Sequence, residues 1–243
     1  MNTLDQAVKA VLERQRASCK PLAVVLAGHN GSGKSTLWYG RLAPRLQIPL
    51  INADRMMMSI LPEVEAGQVL PAWASRLRDK DENWMRVAQN GVQAFVSHAM
   101  VNKVPFAMET VFSHWLKRAD GTFDSKITLI RQMQDAGYFV LLVFVGLTNS
   151  DLSVARVDTR MASGGHAVPL GKLRSRFGRT QQAMRAAVPV ADAAILLDNS
   201  RTPRQAFTVC RVQLGQAVVF DRRDMRRRLP PEVAAWLDVV SPQ

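Results

Sequence analysis

The sequence predicts an α/β fold: a mostly parallel sheet covered by helices on both faces, closed by a C-terminal β-hairpin. Two features of the 243-residue chain carry that reading. Five short, continuously apolar runs, at residues 22–27, 48–52, 104–109, 139–146 and 193–197, alternate with segments of helical spacing. Strands apolar on both faces belong to a sheet covered on both sides, and their alternation with helices marks parallel strand–helix–strand units. Directly after the first run stands Gly-His-Asn-Gly-Ser-Gly-Lys-Ser, residues 28–35, followed by helical spacing at Leu37, Leu42 and Leu46. A glycine loop between strand and helix is the phosphate-binding P-loop in its required context, so the fold expected is that of P-loop NTPases and kinases.

The elements follow in order. Residues 4–18 carry Leu4, Val8, Val11 and Leu12 at helical spacing, an amphipathic helix laid against the domain. After the second strand, residues 69–101 read as a helix interrupted near 79–83, and residues 125–136 as a helix closed by Gly137. Residues 150–162 form a helix closed by Gly164-Gly165, and 170–187 another. Beyond Asn199 the pattern changes to period two, with runs at 207–212 and 217–220 and Gly215 at the turn between them. The length suits one α/β core, so a single domain over 1–243 is expected. It comprises an N-terminal helix (1–19), a core (20–200), and a hairpin with a basic extension (201–243).

A formal charge of +12, from 32 Lys+Arg against 20 Asp+Glu, favours polyanionic partners. Arg174, Arg176, Arg179 and Arg185 share one helical stretch, whereas Arg222, Arg223, Arg226, Arg227 and Arg228 read as a solvated basic face. Two cysteines without metal-ligand spacing exclude a disulfide framework and a zinc site. No secretory signal pattern opens the chain, and no apolar run approaches the ~20 residues that span a bilayer. A soluble, cytoplasmic protein that does not enter a membrane is expected.

The loop is a chemical statement. Glycines at 28, 31 and 33 allow backbone N–H groups to turn inward around phosphate oxygens. Lys34 adds a charge for the β- and γ-phosphates, Ser35 a hydroxyl for Mg²⁺, and the helix start a positive dipole end. Gly28, Asn30, Gly31, Ser32, Gly33, Lys34, Ser35 and Thr36 are therefore the expected ATP cradle. A guanine-specifying N-K-x-D is missing, as are a transporter-type signature and an apolar strand ending in Asp-Glu. What remains is phosphoryl transfer to a hydroxyl, which needs a carboxylate to accept the proton, Mg²⁺, and cationic arms.

Ligands in such sheets sit at the C-terminal ends of the strands. Asp54, just past the second strand, is the candidate base, with the alternative of capping a helix that starts at Arg55. Glu109 and Thr110 end the third strand, where a buried acid points to substrate or Mg²⁺, and Ser113 and His114 follow closely. Arg156 and Arg160, one turn apart, and Arg176 on the next helix flank Gly164-Gly165-His166 as the arms of a lid over phosphate. Asn199, after the fifth strand, either bonds adenine or forms a turn.

Several of these segments together resemble the zeta-toxin family of P-loop kinases. They are the P-loop, Ile51-Asn52-Ala53-Asp54-Arg55, Met108-Glu109-Thr110-Val111-Phe112-Ser113, Leu197-Asp198-Asn199-Ser200, and the run from Arg156 to Pro169 containing Gly164-Gly165-His166-Ala167-Val168. The likeness spans about residues 20–200. It implies an ATP- and Mg²⁺-dependent kinase whose best-known members phosphorylate the amino-sugar 3′-hydroxyl of UDP-N-acetylglucosamine, while relatives act on other nucleotide-linked hydroxyls, including that of NAD. It makes Lys34 and Ser35 the phosphate and Mg²⁺ residues and Asp54 the base. Glu109 and Thr110 become substrate contacts, and Arg160 and Arg176 phosphate contacts, with Arg156 and Arg179 equally eligible. It also implies a small helical antitoxin as partner. Two other readings are a nucleic-acid end kinase, disfavoured by sparse aromatics with two Tyr in the chain, and a non-catalytic ATP-dependent switch.

Overall fold

A computed structural model describes residues 3–64, 68–162, 168–226 and 229–243. Seven strands form one sheet in the order β2-β3-β1-β6-β7-β8-β9. β1 (Leu22–Gly28), β2 (Leu50–Ile51), β3 (Phe106–Thr110), β6 (Phe139–Gly146) and β7 (Ala193–Asp198) are parallel. β8 (Thr208–Leu214) and β9 (Ala217–Asp221) add an antiparallel edge, turning at Gly215 as the sequence predicts.

Period-two geometry distributes the apolar strands between two cores. In β1, Leu22, Val24 and Leu26 face α1 (Leu4–Ala17) and the P-loop helix, where Val8, Val11, Leu37, Trp38 and Leu42 cover them. Ala23, Val25 and Ala27 face the opposite core, built with α6 (Glu82–Val101), α7 (Ile127–Asp135), α9 (Leu170–Ala187) and α10 (Pro231–Val240). Every residue of β1, β6 and β7 is buried, which is why their sequences are apolar without alternation.

The P-loop helix starts as α2 (Lys34–Leu37), widens into a π turn (Trp38–Leu42) and continues as α3 (Ala43–Leu46). The interrupted helix resolves into α5 (Ala72–Lys80) and α6, the second capped by Asp81, whose carboxylate accepts from the Trp84 N–H. α8 (Ser150–Ala162) and α9 have the expected bounds. Gly164, Gly165 and His166, the expected corner between them, lie outside the described residues.

Four expectations need correction. The second strand is two residues long because pairing with β3 is confined to Leu50↔Ala107 and Ile51↔Met108. Ser125 ends a small antiparallel hairpin, β4 (Trp115–Lys117) with β5 (Phe123–Ser125), so the next helix begins at Ile127. The last segment carries α10, not predicted from sequence. Finally, Arg223 does not belong to a solvated basic face: its guanidinium is enclosed by Asp221 (2.6 Å) and Asp238 (2.6 Å) and donates to the Ser241 carbonyl. Arg227 and Arg228 lie outside the described residues.

Candidate functional site

Parallel topology delivers the C-terminal ends of β1, β3 and β2 to one edge, and the site is built there. Gly31 and Gly33 adopt left-handed φ values of 69° and 91°. A Cβ on Gly33 would stand 2.8 Å from the Asn199 amide nitrogen, and one on Gly31 would stand 3.0 Å from the Arg156 Cβ. Only glycine allows the loop this curvature and these close neighbours.

Lys34 reaches beneath the loop. Its ammonium donates to the carbonyls of Gly28 and His29, both at 3.1 Å, and lies 3.8 Å from Glu109 Oε1. Burial pushes its pKa down, Glu109 and Asp54 oppose that shift, and Arg160 adds to it. Arg160 is thereby placed within electrostatic reach of the P-loop cation.

Glu109 is the hub. The register Leu26↔Glu109 sets it beside the strand that feeds the P-loop, with its side chain 12% exposed. Ser35 Oγ donates to Oε2 at 3.1 Å and Asn52 Nδ2 to the same oxygen at 2.7 Å. A hydroxyl and a carboxylate side by side are hard oxygen donors, the set suited to a Mg²⁺ that keeps waters and shares phosphate oxygens. Among the described residues no group of three or more His, Cys, Asp or Glu could hold a metal alone. Ser35 and Thr36 are exposed at the start of the P-loop helix.

Asp54 is not the cap of a helix beginning at Arg55. α4 spans Ala53–Ser59, and Asn52 is its cap, accepting from the Arg55 N–H at 3.1 Å. Because Asn52 takes the cap, Asp54 sits exposed in the first turn, in electrostatic contact with Lys34 and Arg176. Arg176 is half-buried, and burial lowers its pKa, Arg179 adding to the shift and Asp54 opposing it.

Thr110 accepts hydrogen bonds from the Phe112 N–H and from Lys126 Nζ. Lys126, at the start of α7, is a cation that motif reading missed. Burial lowers its pKa, and Arg176 lowers it further. Thr180 of α9 donates to the Val111 carbonyl, fixing α9 against the end of β3. Lys126 thus joins Thr110 at the end of β3, and Arg176 lies within electrostatic reach of both Lys126 and Asp54. Ser113 lies past Phe112, whose left-handed φ of 60° turns the chain, and among the described residues no hydrogen bond joins Ser113 to Glu109 or Thr110. His114 pairs with Asp124 at 3.2 Å on the exposed β4–β5 hairpin.

Asn199 works behind the loop. Its Nδ2 donates to the Ser32 carbonyl at 2.8 Å, and its Oδ1 accepts from the Phe207 N–H at 3.3 Å. Asp198 accepts from the Ser200 N–H and from Arg201 Nε, both at 2.9 Å. Two further contacts hold the loop to the arginine-bearing helices. Ser153 Oγ of α8 donates to the Asn30 carbonyl at 2.7 Å, and His29 stacks on Phe177 of α9 with ring centroids 4.0 Å apart. Neither is legible in the P-loop pattern, which leaves positions 29 and 30 unspecified.

A model of the zeta toxin family matches residues 8–202. The chain belongs to the zeta toxin family. A protein of Haemophilus influenzae Rd is 26% identical over 156 residues, covering 64% of this chain and 91% of its own. Among solved structures, the AvrRxo1-ORF1:-ORF2 complex with ATP superposes with a TM-score of 0.62 at 14% identity, over 99% of this chain and 70% of that one. The PezAT chromosomal toxin–antitoxin system of Streptococcus pneumoniae superposes with a TM-score of 0.53 at 11% identity, over 98% of this chain and 88% of that one. These likenesses show that the zeta toxin-family chain has the fold of these proteins. Among its described residues no helix is long and apolar enough to cross a membrane.

Acid sensitivity follows from His29. Burial first, and Lys34 second, push its imidazole from 6.5 down to about 3. The unfolded chain therefore takes up this proton first as pH falls. The stability linked to His29 is complete above pH 6.5 and is lost as pH falls towards 3. Between pH 7 and pH 5 this group removes ~2 kcal/mol, a loss that His29→Gln abolishes even though it lowers stability at pH 7. Urea unfolding of both proteins at the two pH values measures it, and equal pH slopes would refute the assignment.

Proposed function

We propose that this zeta toxin-family protein is an ATP- and Mg²⁺-dependent kinase that phosphorylates a hydroxyl of a nucleotide-linked sugar, UDP-N-acetylglucosamine being the first acceptor to test. The convergence of Lys34, Ser35 and Asn52 on the Glu109 carboxylate, beside Asp54, is the observation that carries the reading. It joins a phosphate grip to a carboxylate-bearing edge open to an acceptor.

In this reading, Gly28, Asn30, Gly31, Ser32, Gly33 and Thr36 line the triphosphate cradle, while Lys34 neutralises the β- and γ-phosphates. Ser35 and Glu109 hold Mg²⁺, which when bound screens the charge of the phosphates. Asp54 accepts the acceptor's proton as its oxygen bonds to the γ-phosphorus and the bond to the β-phosphate oxygen breaks, releasing ADP. Arg160 and Arg176 spread the charge of the moving group. Thr110 and Lys126 orient the acceptor from the end of β3. Asn199 acts on the donor by holding the P-loop through Ser32, with both ends of its amide engaged.

A small helical antitoxin is the proposed protein partner, supported by the likeness to a toxin–antitoxin system. The +12 charge suits an acceptor carrying phosphates.

The test is incubation with ATP, Mg²⁺ and a panel of nucleotide sugars and NAD, with phosphorylated product read by mass spectrometry. Product from none of them would overturn the reading. Asp54→Asn is expected to lower kcat on the order of 10²-fold with ATP affinity retained, since a loose transition state makes modest demands on the base. Unchanged turnover would remove Asp54 from that role.

A further inference from the structure

Behind the P-loop, on the side away from Asp54 and Glu109, lies a cavity of about 580 Å³. Its size falls within the ~300–1,000 Å³ of small-molecule sites. It opens between the start of α1, the P-loop helix, the 201–208 loop and the segment after β9, and Arg41, Arg201, Arg204 and Arg222 all line it. Arg201 is fixed by Asp198 at 2.9 Å and by the Thr208 hydroxyl at 2.8 Å. Arg41, Arg204 and Arg222 are held by no ion pair or hydrogen bond among the described residues. The cavity's acid, Asp5, is already taken by Arg45 at 2.6 Å. Asp198 balances Arg201 and Asp5 lies within electrostatic reach of Arg41, which leaves Arg204 and Arg222 lining the same space with no paired carboxylate among the described residues; guanidinium forks match phosphate oxygens in geometry and charge.

The cavity is separate from the P-loop. Phe207 lines it, with φ of 55°, and its ring stands 3.4 Å from where a Gly33 Cβ would be. The Asn199 amide lies 2.8 Å from the same point. These two side chains close Gly33 on this side and form a wall between cavity and loop.

We propose that this cavity is a second anion site, which binds a phosphorylated small molecule through Arg41, Arg204 and Arg222 while ATP occupies the P-loop. Arg201, braced by Asp198, supplies the rigid back of the site. The inference does not depend on the identity of the acceptor, and its test requires no turnover.

The probe is inorganic pyrophosphate, titrated calorimetrically into the full chain already saturated with a non-hydrolysable ATP analogue. One equivalent is expected to bind without displacing the analogue. Arg204→Gln/Arg222→Gln is expected to weaken pyrophosphate by ~10-fold or more, leaving the analogue's affinity within about two-fold and the melting temperature unchanged. Arg41→Gln, on a different element, should weaken pyrophosphate in the same direction. No binding to the saturated protein would overturn the proposal. So would displacement of the analogue, or an equal loss of analogue affinity in the double variant, since either would make the cavity part of the donor site.

Discussion

Glu109→Gln lowers kcat by ~10³-fold or more, with ATP binding reduced far less. The substitution keeps the shape of the hub and removes its charge. Asn52 Nδ2, at 2.7 Å, and Ser35 Oγ, at 3.1 Å, can still meet an oxygen of the amide. Lys34, buried and 3.8 Å from the carboxylate, loses the anion that most strongly favours its charged form. An ion held by Ser35 loses its only carboxylate neighbour from the third strand. Steady-state turnover across an ATP titration, with nucleotide affinity measured separately, checks the result. Turnover within about ten-fold of wild type would remove Glu109 from the reaction and leave it a structural tie. The effect exceeds that expected for Asp54 because Glu109 meets both Lys34 and Ser35, the proposed phosphate and Mg²⁺ residues, whereas Asp54 stands exposed in the first turn of α4.

Asp221→Ala costs ~3–5 kcal/mol of stability, about 10 °C in melting temperature for a chain of this size. Asp221 is buried at the end of β9, between Arg211 Nη1 at 3.3 Å and Arg223 Nη2 at 2.6 Å. Burial alone would raise its carboxyl pKa, but hydrogen bonds from Arg223 and the charges of Arg223 and Arg211 bring it below the ordinary value of 3.8. Without the carboxylate, two guanidinium groups remain buried with no anion between them. Asp238→Ala serves as the contrast, because it removes an exposed partner of Arg223 and costs ~1 kcal/mol or less. Thermal and urea unfolding report both. If Asp221→Ala lost no more than Asp238→Ala, the cluster would not be holding the C-terminal segment. This network is also why Arg223 cannot be read as solvated: Asp221 and Asp238 close around it only once β9 and α10 are packed.

Where the fold was legible, local chemistry decided it. Continuous apolar runs identified β1, β6 and β7 because strands buried on both faces admit little else. Helical spacing placed the bounds of α8 and α9. The β4–β5 hairpin escaped notice because three-residue strands leave almost no periodicity to read, and Trp115 and Phe123 become neighbours only when their rings stack at 4.4 Å. Lys126 was invisible for a related reason, since its meaning lies in Thr110, sixteen residues earlier. Asn52 and Asp54 show the limit of capping rules. Both are good caps, and the choice of Asn52 was made by the same residue's hydrogen bond to Glu109, fifty-seven residues away.

The sequence by itself determined that a P-loop stands at residues 28–35, between a strand of a parallel sheet and a helix, and that carboxylates follow the neighbouring strands. Those statements need only backbone conformation, burial and short spacing, all of which are local. The tertiary structure alone decided that Glu109 is the point where Lys34, Ser35 and Asn52 meet. It also decided that Asn199 holds the P-loop from behind and that four arginines share a cavity beyond it. Each of these depends on strand register and side-chain direction, and contacts between distant residues exist only after the sheet has assembled.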